Sequence, residues 1–197
     1  MEKLTRKEQA TNSKRKISQY ALQLFTEKGY DHVTVQDIAT EAQMSIGAFY
    51  HHFDSKESVL TDAYHQFDIE FQAKWDAYHN TDNMKALLFL VEQLFCIQET
   101  GVALATQYFK ERLTNENVSI LNHKRFFYQQ VCELVEALRG EHIFTEEATA
   151  IAYDISTTSR GVIYDWCLQG GNYDLVKQGM KIVGMVIQFY STEKLVR

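Results

Sequence analysis

There is no proline anywhere in the 197 residues. Proline ends helices by removing an amide donor and clashing with the turn before it, so nothing of that kind interrupts this chain. Cysteine is nearly absent as well: Cys96, Cys132 and Cys167 are odd in number, far apart and in no metal-ligand spacing. They are expected to be buried, reduced thiols. No apolar run reaches the length needed to cross a bilayer, and the opening MEKLTRKEQATNSKRK is too polar for a secretory signal. A cytoplasmic protein without a membrane partner is expected. Catalytic signatures are missing too: there is no G-x-S-x-G, no H-E-x-x-H and no glycine loop of the phosphate-cradling kind. His51 and His52 are helical neighbours pointing about 100° apart, a poor arrangement for one metal. The expectation is therefore no enzyme, no metal and no cofactor.

What is present is helix. Apolar residues make up 45% of the chain, and they recur at a period near 3.6 over long stretches, which predicts an all-α fold of about nine helices. The net charge of −6 argues against a nucleic-acid binder, but its distribution argues the other way. Residues 1–16 carry Lys3, Arg6, Lys7, Lys14, Arg15 and Lys16 against only Glu2 and Glu8. A small DNA-binding head on an acidic body has this asymmetry. Lys3 to Lys7 read as a solvated tail; Lys14 to Lys16 are either phosphate contacts or solvated.

The stretch Thr34 to Lys56, TVQDIATEAQMSIGAFYHHFDSK, organises the rest. Thr34 and Asp37 have the spacing of a capping box, and Ile38, Ala39 and Ala42 form one apolar face behind it. Ser45 can cap a second short helix, with Phe49 and Phe53 pinning it to the first. The opposite face of that helix carries Gly47, Ala48, Tyr50, His51 and His52. Small residues allow close approach, while hydroxyl and imidazole groups can donate to phosphates and base edges. A helix-turn-helix needs this division into a packed face and a reading face.

At these residues the chain resembles the TetR family of bacterial transcriptional regulators. The resemblance rests on Phe25 and Gly29-Tyr30, Thr34 with Ile38-Ala39, Ser45, Gly47, Tyr50, His52-Phe53 and Ser55-Lys56-Glu57, over roughly the first third of the chain. One departure is Gln43-Met44 where the family has Gly-Val in the turn. Gln43 at a glycine-favouring position is expected to cost about 1 kcal/mol of backbone strain.

In chain order, a first helix is predicted from about Ser13 to Lys28, closed by Gly29. A fourth starts at Asp54-Ser55-Lys56-Glu57 and runs to about Tyr78, linking head to body. Helices over Met84–Glu99, to about Leu113, and Phe126–Leu138 come next, with TNENVSILNH (114–123) a loop or helix entry and Gly140 a stop. Thr145 is expected to cap the penultimate helix and Asn172 the last, which has apolar stripes on two faces and so is buried on two sides.

The resemblance implies that Thr34, Ser45, Tyr50, His52 and Lys56 hold the phosphate backbone; packing is the alternative for Tyr50. Ile46, Gly47, Ala48 and His51 are the candidates for base edges, with core packing the alternative for Ile46. It also implies a homodimer through the two closing helices, with Ile155, Ser159, Val162, Ile163, Trp166, Val176, Met180, Val183, Ile187 and Tyr190 as interface candidates. Trp75, Phe89, Glu92, Phe95, Tyr108, Phe127 and Trp166 are candidates for an effector pocket suited to a small lipophilic compound. The expected organisation is a three-helix DNA-binding head at 1–55 and an effector-binding and dimerisation body at 56–197. The expected function is a repressor bound to a near-palindromic double-stranded operator and released by its effector. The alternative is an interaction protein of the same fold whose body binds a protein and whose head is an anchor or relic.

Overall fold

A computed structural model describes residues 5–114 and 126–192. The chain divides into two compact units, Met1–Ile69 and Glu70–Arg197. Among the described residues the architecture is all-α, with one isolated bridge between Phe144 and Ser191.

The first unit holds α1 (Arg6–Lys28), a 3-10 turn (Tyr30–His32), α2 (Val35–Glu41), α3 (Ile46–His52) and the start of α4 (Lys56–Asp76). Helix α1 starts seven residues before the expected Ser13. Thr5 and Glu8 form a reciprocal capping box, with the Glu8 amide donating to Thr5 Oγ1 and the Thr5 amide to the Glu8 carboxylate. Lys14 to Lys16 are therefore helical. Arg6 and Lys7 are helical as well, whereas Lys3 lies outside the described residues. Ile17, Ala21, Leu24 and Phe25 form the buried stripe of α1, as their spacing predicts. Gly29, at φ 82°, ends the helix, and its amide donates to Phe25 O. Ser55 Oγ accepts the Ser58 amide and the Ser58 hydroxyl accepts the Ser55 amide, which starts α4.

The second unit contains the end of α4, then α5 (Asn83–Phe95), a 3-10 turn (Cys96–Thr100), α6 (Val102–Thr114), α7 (Phe126–Gly140), α8 (Ala148–Leu168) and α9 (Leu175–Tyr190). Most of TNENVSILNH lies outside the described residues. Helix α8 packs on α9, α7 and α6, and α5 packs on α7 and α9. Leu87, Leu90, Phe95, Val135, Leu138, Ile151, Ile155, Val183 and Ile187 are fully enclosed, each contributing about 1.5–3 kcal/mol of apolar burial. Gly179 lets α9 approach this core: a Cβ there would lie 2.5 Å from the Phe95 ring.

Two expected cap signals are corrected. The cap of α9 is Asp174, whose carboxylate accepts the Lys177 amide at 3.0 Å, rather than Asn172. Helix α8 starts after Glu147, which makes no side-chain cap bond, so Thr145 is not its cap. Gly140 ends α7 as expected, and the left-handed residue beyond it is His142 at φ 62°. Its amide donates to Arg139 O and the Ile143 amide to Leu138 O, the crossed pair that closes a helix of this kind. The three cysteines are free but half-buried rather than enclosed, and burial raises all three thiol pKa values. They stay protonated near neutral pH. No single described helix is long and apolar enough to cross a membrane; Asn83–Thr100 and Val102–Lys110 reach that length only as a pair bent by 106°.

Candidate nucleic-acid interface

Helix α2 starts from the expected capping box. The Asp37 amide donates to Thr34 Oγ1 at 3.1 Å, and the Thr34 amide and hydroxyl donate to the Asp37 carboxylate at 2.9 and 2.6 Å. The Thr34 hydroxyl, and after it the Thr34 amide, holds Asp37 below its ordinary carboxyl value. Ile38, Ala39 and Ala42 are fully buried.

The next turn is left-handed at Gln43, φ 56°. The Gln43 amide donates to Thr40 O at 3.0 Å and the Met44 amide to Ala39 O at 2.8 Å. Those bonds satisfy the last carbonyls of α2 and hold a non-glycine residue where glycine is favoured. Gln43 thus adopts the left-handed conformation that favours glycine, and the turn's backbone strain falls on it.

Ser45 caps α3 by accepting the Ala48 amide at 3.1 Å. One face of α3 is anchored: Phe49 is fully buried and its ring lies 5.9 Å from that of Phe53. On the other face Ser45, Gly47 and His51 are exposed, as are Ile46 and Tyr50, which keep 40% and 54% of their surface. Core packing is thus excluded for Ile46 within this chain. Ala48 and His52 are half-buried at the edge of the face. Among the described residues, a Cβ built at Gly47 would have Ser45 Oγ within 4 Å, at an ordinary 3.8 Å. No packing contact among the described residues therefore requires glycine at 47, although glycine weakens a helix by about 0.5–1 kcal/mol.

The imidazoles of His51 and His52 stand edge to face with centroids 5.0 Å apart. Burial, then the neighbouring His51 and Lys14, lowers the His52 pKa, which favours a neutral ring. Lys14 pairs with Asp62 of α4 and lies over the Phe53 ring, while Lys16 lies over Tyr20. Lys56 is half-buried; its ammonium donates to Tyr30 O at 2.9 Å and Val33 O at 3.1 Å.

Residues 17–63 match the family model described as bacterial regulatory proteins, tetR family. The head, over these residues, is of the TetR type. Among curated TetR-like relatives it is 32% identical over 147 residues to the HTH-type regulator YuxN of Bacillus subtilis, covering 73% of this chain and 40% of YuxN. It is 48% identical over 97 residues to IcaR of Staphylococcus aureus, a negative transcriptional regulator of the biofilm operon icaADBC. That match covers 48% of this chain and 52% of IcaR, so the chain spans about half or less of these relatives' lengths. A transcriptional regulator from Saccharomonospora viridis, solved in complex with choline, shares the fold with a TM-score of 0.76 and 21% identity, over 93% of this chain and 99% of that one.

In the body, the effector candidates make several separate ring contacts and packing contacts. Trp75, Tyr78 and Phe89 stack in a row, the last two parallel at 3.9 Å. Phe127 lies edge-on to Phe71, as does Phe126. Phe95 is enclosed against Gly179, Tyr108 packs on Phe109, and Glu92 is exposed. Trp166 is buried near the C-terminal end of α8, its indole N–H donating to Tyr173 O, in the link to α9, at 2.9 Å. The ring contacts bring Trp75 and Phe89 together through Tyr78.

The dimerisation candidates are corrected in part. Ile155, Ser159, Val183 and Ile187 are fully enclosed by their own chain, and Val162, Ile163 and Trp166 nearly so. Such residues have no surface left to offer a second subunit. Val176, Met180 and Tyr190 are half-buried at the margin. The outward apolar surface is a different stripe: Tyr153, Tyr164 and Leu168 on α8, with Met185 and Phe189 on α9, Phe189 keeping 82% of its surface. Tyr153, Thr157, Gly161, Tyr164 and Leu168 recur at steps of three and four, the signal by which sequence alone could have found this face.

Proposed function

We propose that this chain is a homodimeric transcriptional regulator, a repressor, whose head (1–55) reads a near-palindromic double-stranded operator. Its body (56–197) dimerises and binds a small effector that releases the operator. The carrying observation is the two-sided α3: Phe49 and Phe53 lock one face, while Ile46, Gly47, Tyr50 and His51 stand outward. Exposed Ile46 suits contact with a thymine methyl, His51 can donate to guanine, and Gly47, which no packing contact among the described residues requires, admits close approach. Tyr50, Ser45 and His52 lie beside them for the phosphates, and a basic α1 adds charge. IcaR, a negative regulator, supports the repressing direction.

The dimer is assigned to the outward stripe of Tyr153, Tyr164, Leu168, Met185 and Phe189, because an aromatic with most of its surface bare is costly to leave in water. Two heads related by two-fold symmetry would meet successive major-groove turns about 34–36 Å apart, or somewhat more. The effector is expected to be small and largely lipophilic, suited to aromatic clusters of the kind formed by Trp75, Tyr78 and Phe89. A cytoplasmic location goes with this function. Release is a population shift in which the effector favours a state whose heads no longer fit the groove spacing.

The test is selection from a pool of random duplexes, repeated across salt concentrations. An enriched inverted repeat with a steep salt slope is the expected result. Salt-sensitive binding with no enriched sequence would refute operator reading and leave a non-specific anchor.

A further inference from the structure

The side chain of Lys56 has an unusual position for a residue expected to grip DNA. It stands in the first turn of α4, yet its ammonium reaches back 26 and 23 residues to the carbonyls of Tyr30 and Val33, at 2.9 and 3.1 Å. The same ammonium lies 4.2 Å from the centre of the Tyr30 ring. Two carbonyl dipoles and the negative face of an aromatic ring thus converge on one cation, and each favours a compact positive charge. Two of the three ammonium donors are used inside the chain.

The residues held by this ammonium stand at the entry to the helix-turn-helix. Tyr30 and Val33 are 8% and 1% exposed, and the Tyr30 ring lies 4.8 Å from that of Phe25 on α1. The Val33 amide also donates to Tyr30 O. Val33 directly precedes Thr34, whose capping box starts α2, and α2 leads through the strained Gln43 turn into α3. The point where α2 begins therefore sets where α3 begins.

We propose that Lys56 is a positioning residue: its ammonium fastens the first turn of α4 to the Tyr30–Val33 turn, fixing the start of α2 and hence the aim of α3, instead of gripping a phosphate itself. This rests on the operator-reading function proposed above.

The two roles predict different binding data. A phosphate contact helps every duplex equally, so its loss weakens operator and non-specific DNA alike and lowers the salt slope by about 0.9 per contact. Loss of a positioning bond spoils the fit to base edges and leaves non-specific binding as it was. The experiment uses the full-length protein and its Lys56→Met and Lys56→Arg variants. Each is titrated with the selected operator and with a scrambled duplex of the same length, from low to physiological salt. Thermal unfolding of each variant ensures that only folded protein is compared.

In Lys56→Met, operator affinity should fall on the order of tenfold or more, while scrambled-duplex affinity and its salt slope stay at wild-type values. Lys56→Arg keeps the charge but spreads it over a planar fork, so it should fail to restore the operator preference. Parallel loss on both duplexes with a shallower slope, rescued by arginine, would overturn the proposal in favour of a phosphate contact. Unchanged operator affinity with only a lower unfolding temperature would overturn it in favour of a purely structural role. A wild-type protein that does not prefer the selected duplex would sink the operator-reading function, and the proposal with it.

Discussion

Gly179→Ala should destabilise this protein, although the same change at an ordinary helical position stabilises. Replacing glycine by alanine inside a helix gains about 0.5–1 kcal/mol, because glycine gives up more backbone freedom on folding. At position 179 the added methyl would lie 2.5, 2.6 and 2.7 Å from three carbons of the Phe95 ring, inside any tolerable contact. Phe95 is fully enclosed at the end of α5, so its ring has no free space to swing into. Overpacking of this kind costs about 1–3 kcal/mol, which exceeds the propensity gain and leaves a net loss of about 1–2 kcal/mol. Urea denaturation monitored by tryptophan fluorescence should show a lower midpoint at unchanged slope. Two further variants isolate the cause. Gly140→Ala, at a helical position where nothing lies within 4 Å of the added methyl, should be neutral or stabilising. Phe95→Leu should relieve the clash, so the double variant with Gly179→Ala should be more stable than the two single losses added together. Additive losses, or a Gly179→Ala protein as stable as wild type, would refute the contact between α5 and α9 as described.

Gln43→Gly should stabilise the head by about 0.5–1 kcal/mol, since glycine adopts φ 56° without a Cβ penalty; an unchanged or lower midpoint would refute the strain assigned to that turn. The lowered His52 pKa carries a sign. The folded head binds that proton less tightly than the unfolded chain, so stability is full above the ordinary imidazole value and falls as pH drops through it. His52→Gln should therefore flatten part of the fall in unfolding temperature between about pH 7.5 and about pH 5.5; an identical fall in the variant would refute this. If the proposed dimer forms through this face, Phe189→Glu should leave a folded monomer in sedimentation, because Phe189 keeps 82% of its surface within one chain. A Phe189→Glu protein that still sediments as a dimer would place the interface elsewhere.

The sequence by itself determined the head. The Thr34–Asp37 box, the Ser45 cap, the Phe49–Phe53 anchor and the Gly29 stop are all interactions between residues three to five apart, so spacing alone specifies them. Gln43 was legible only through the family resemblance, which puts a glycine at that turn, and its positive φ agrees. Helix starts in the body were less legible, because Asp174 and Asn172 are equally plausible caps until the helix register is known. Two matters only the tertiary structure decided. The stripes of α8 and α9 are apolar on more than one face, and hydrophobicity does not say which face meets its own core; the neighbouring α5, α6 and α7 did, enclosing Ile155, Val183 and Ile187 and leaving Tyr164, Met185 and Phe189 outside. Lys56 looked like a phosphate donor from its motif, and its partners proved to be carbonyls 23 and 26 residues back along the chain. A bond of that kind has no period in the sequence, because it forms only where packing brings distant backbone within reach of one ammonium.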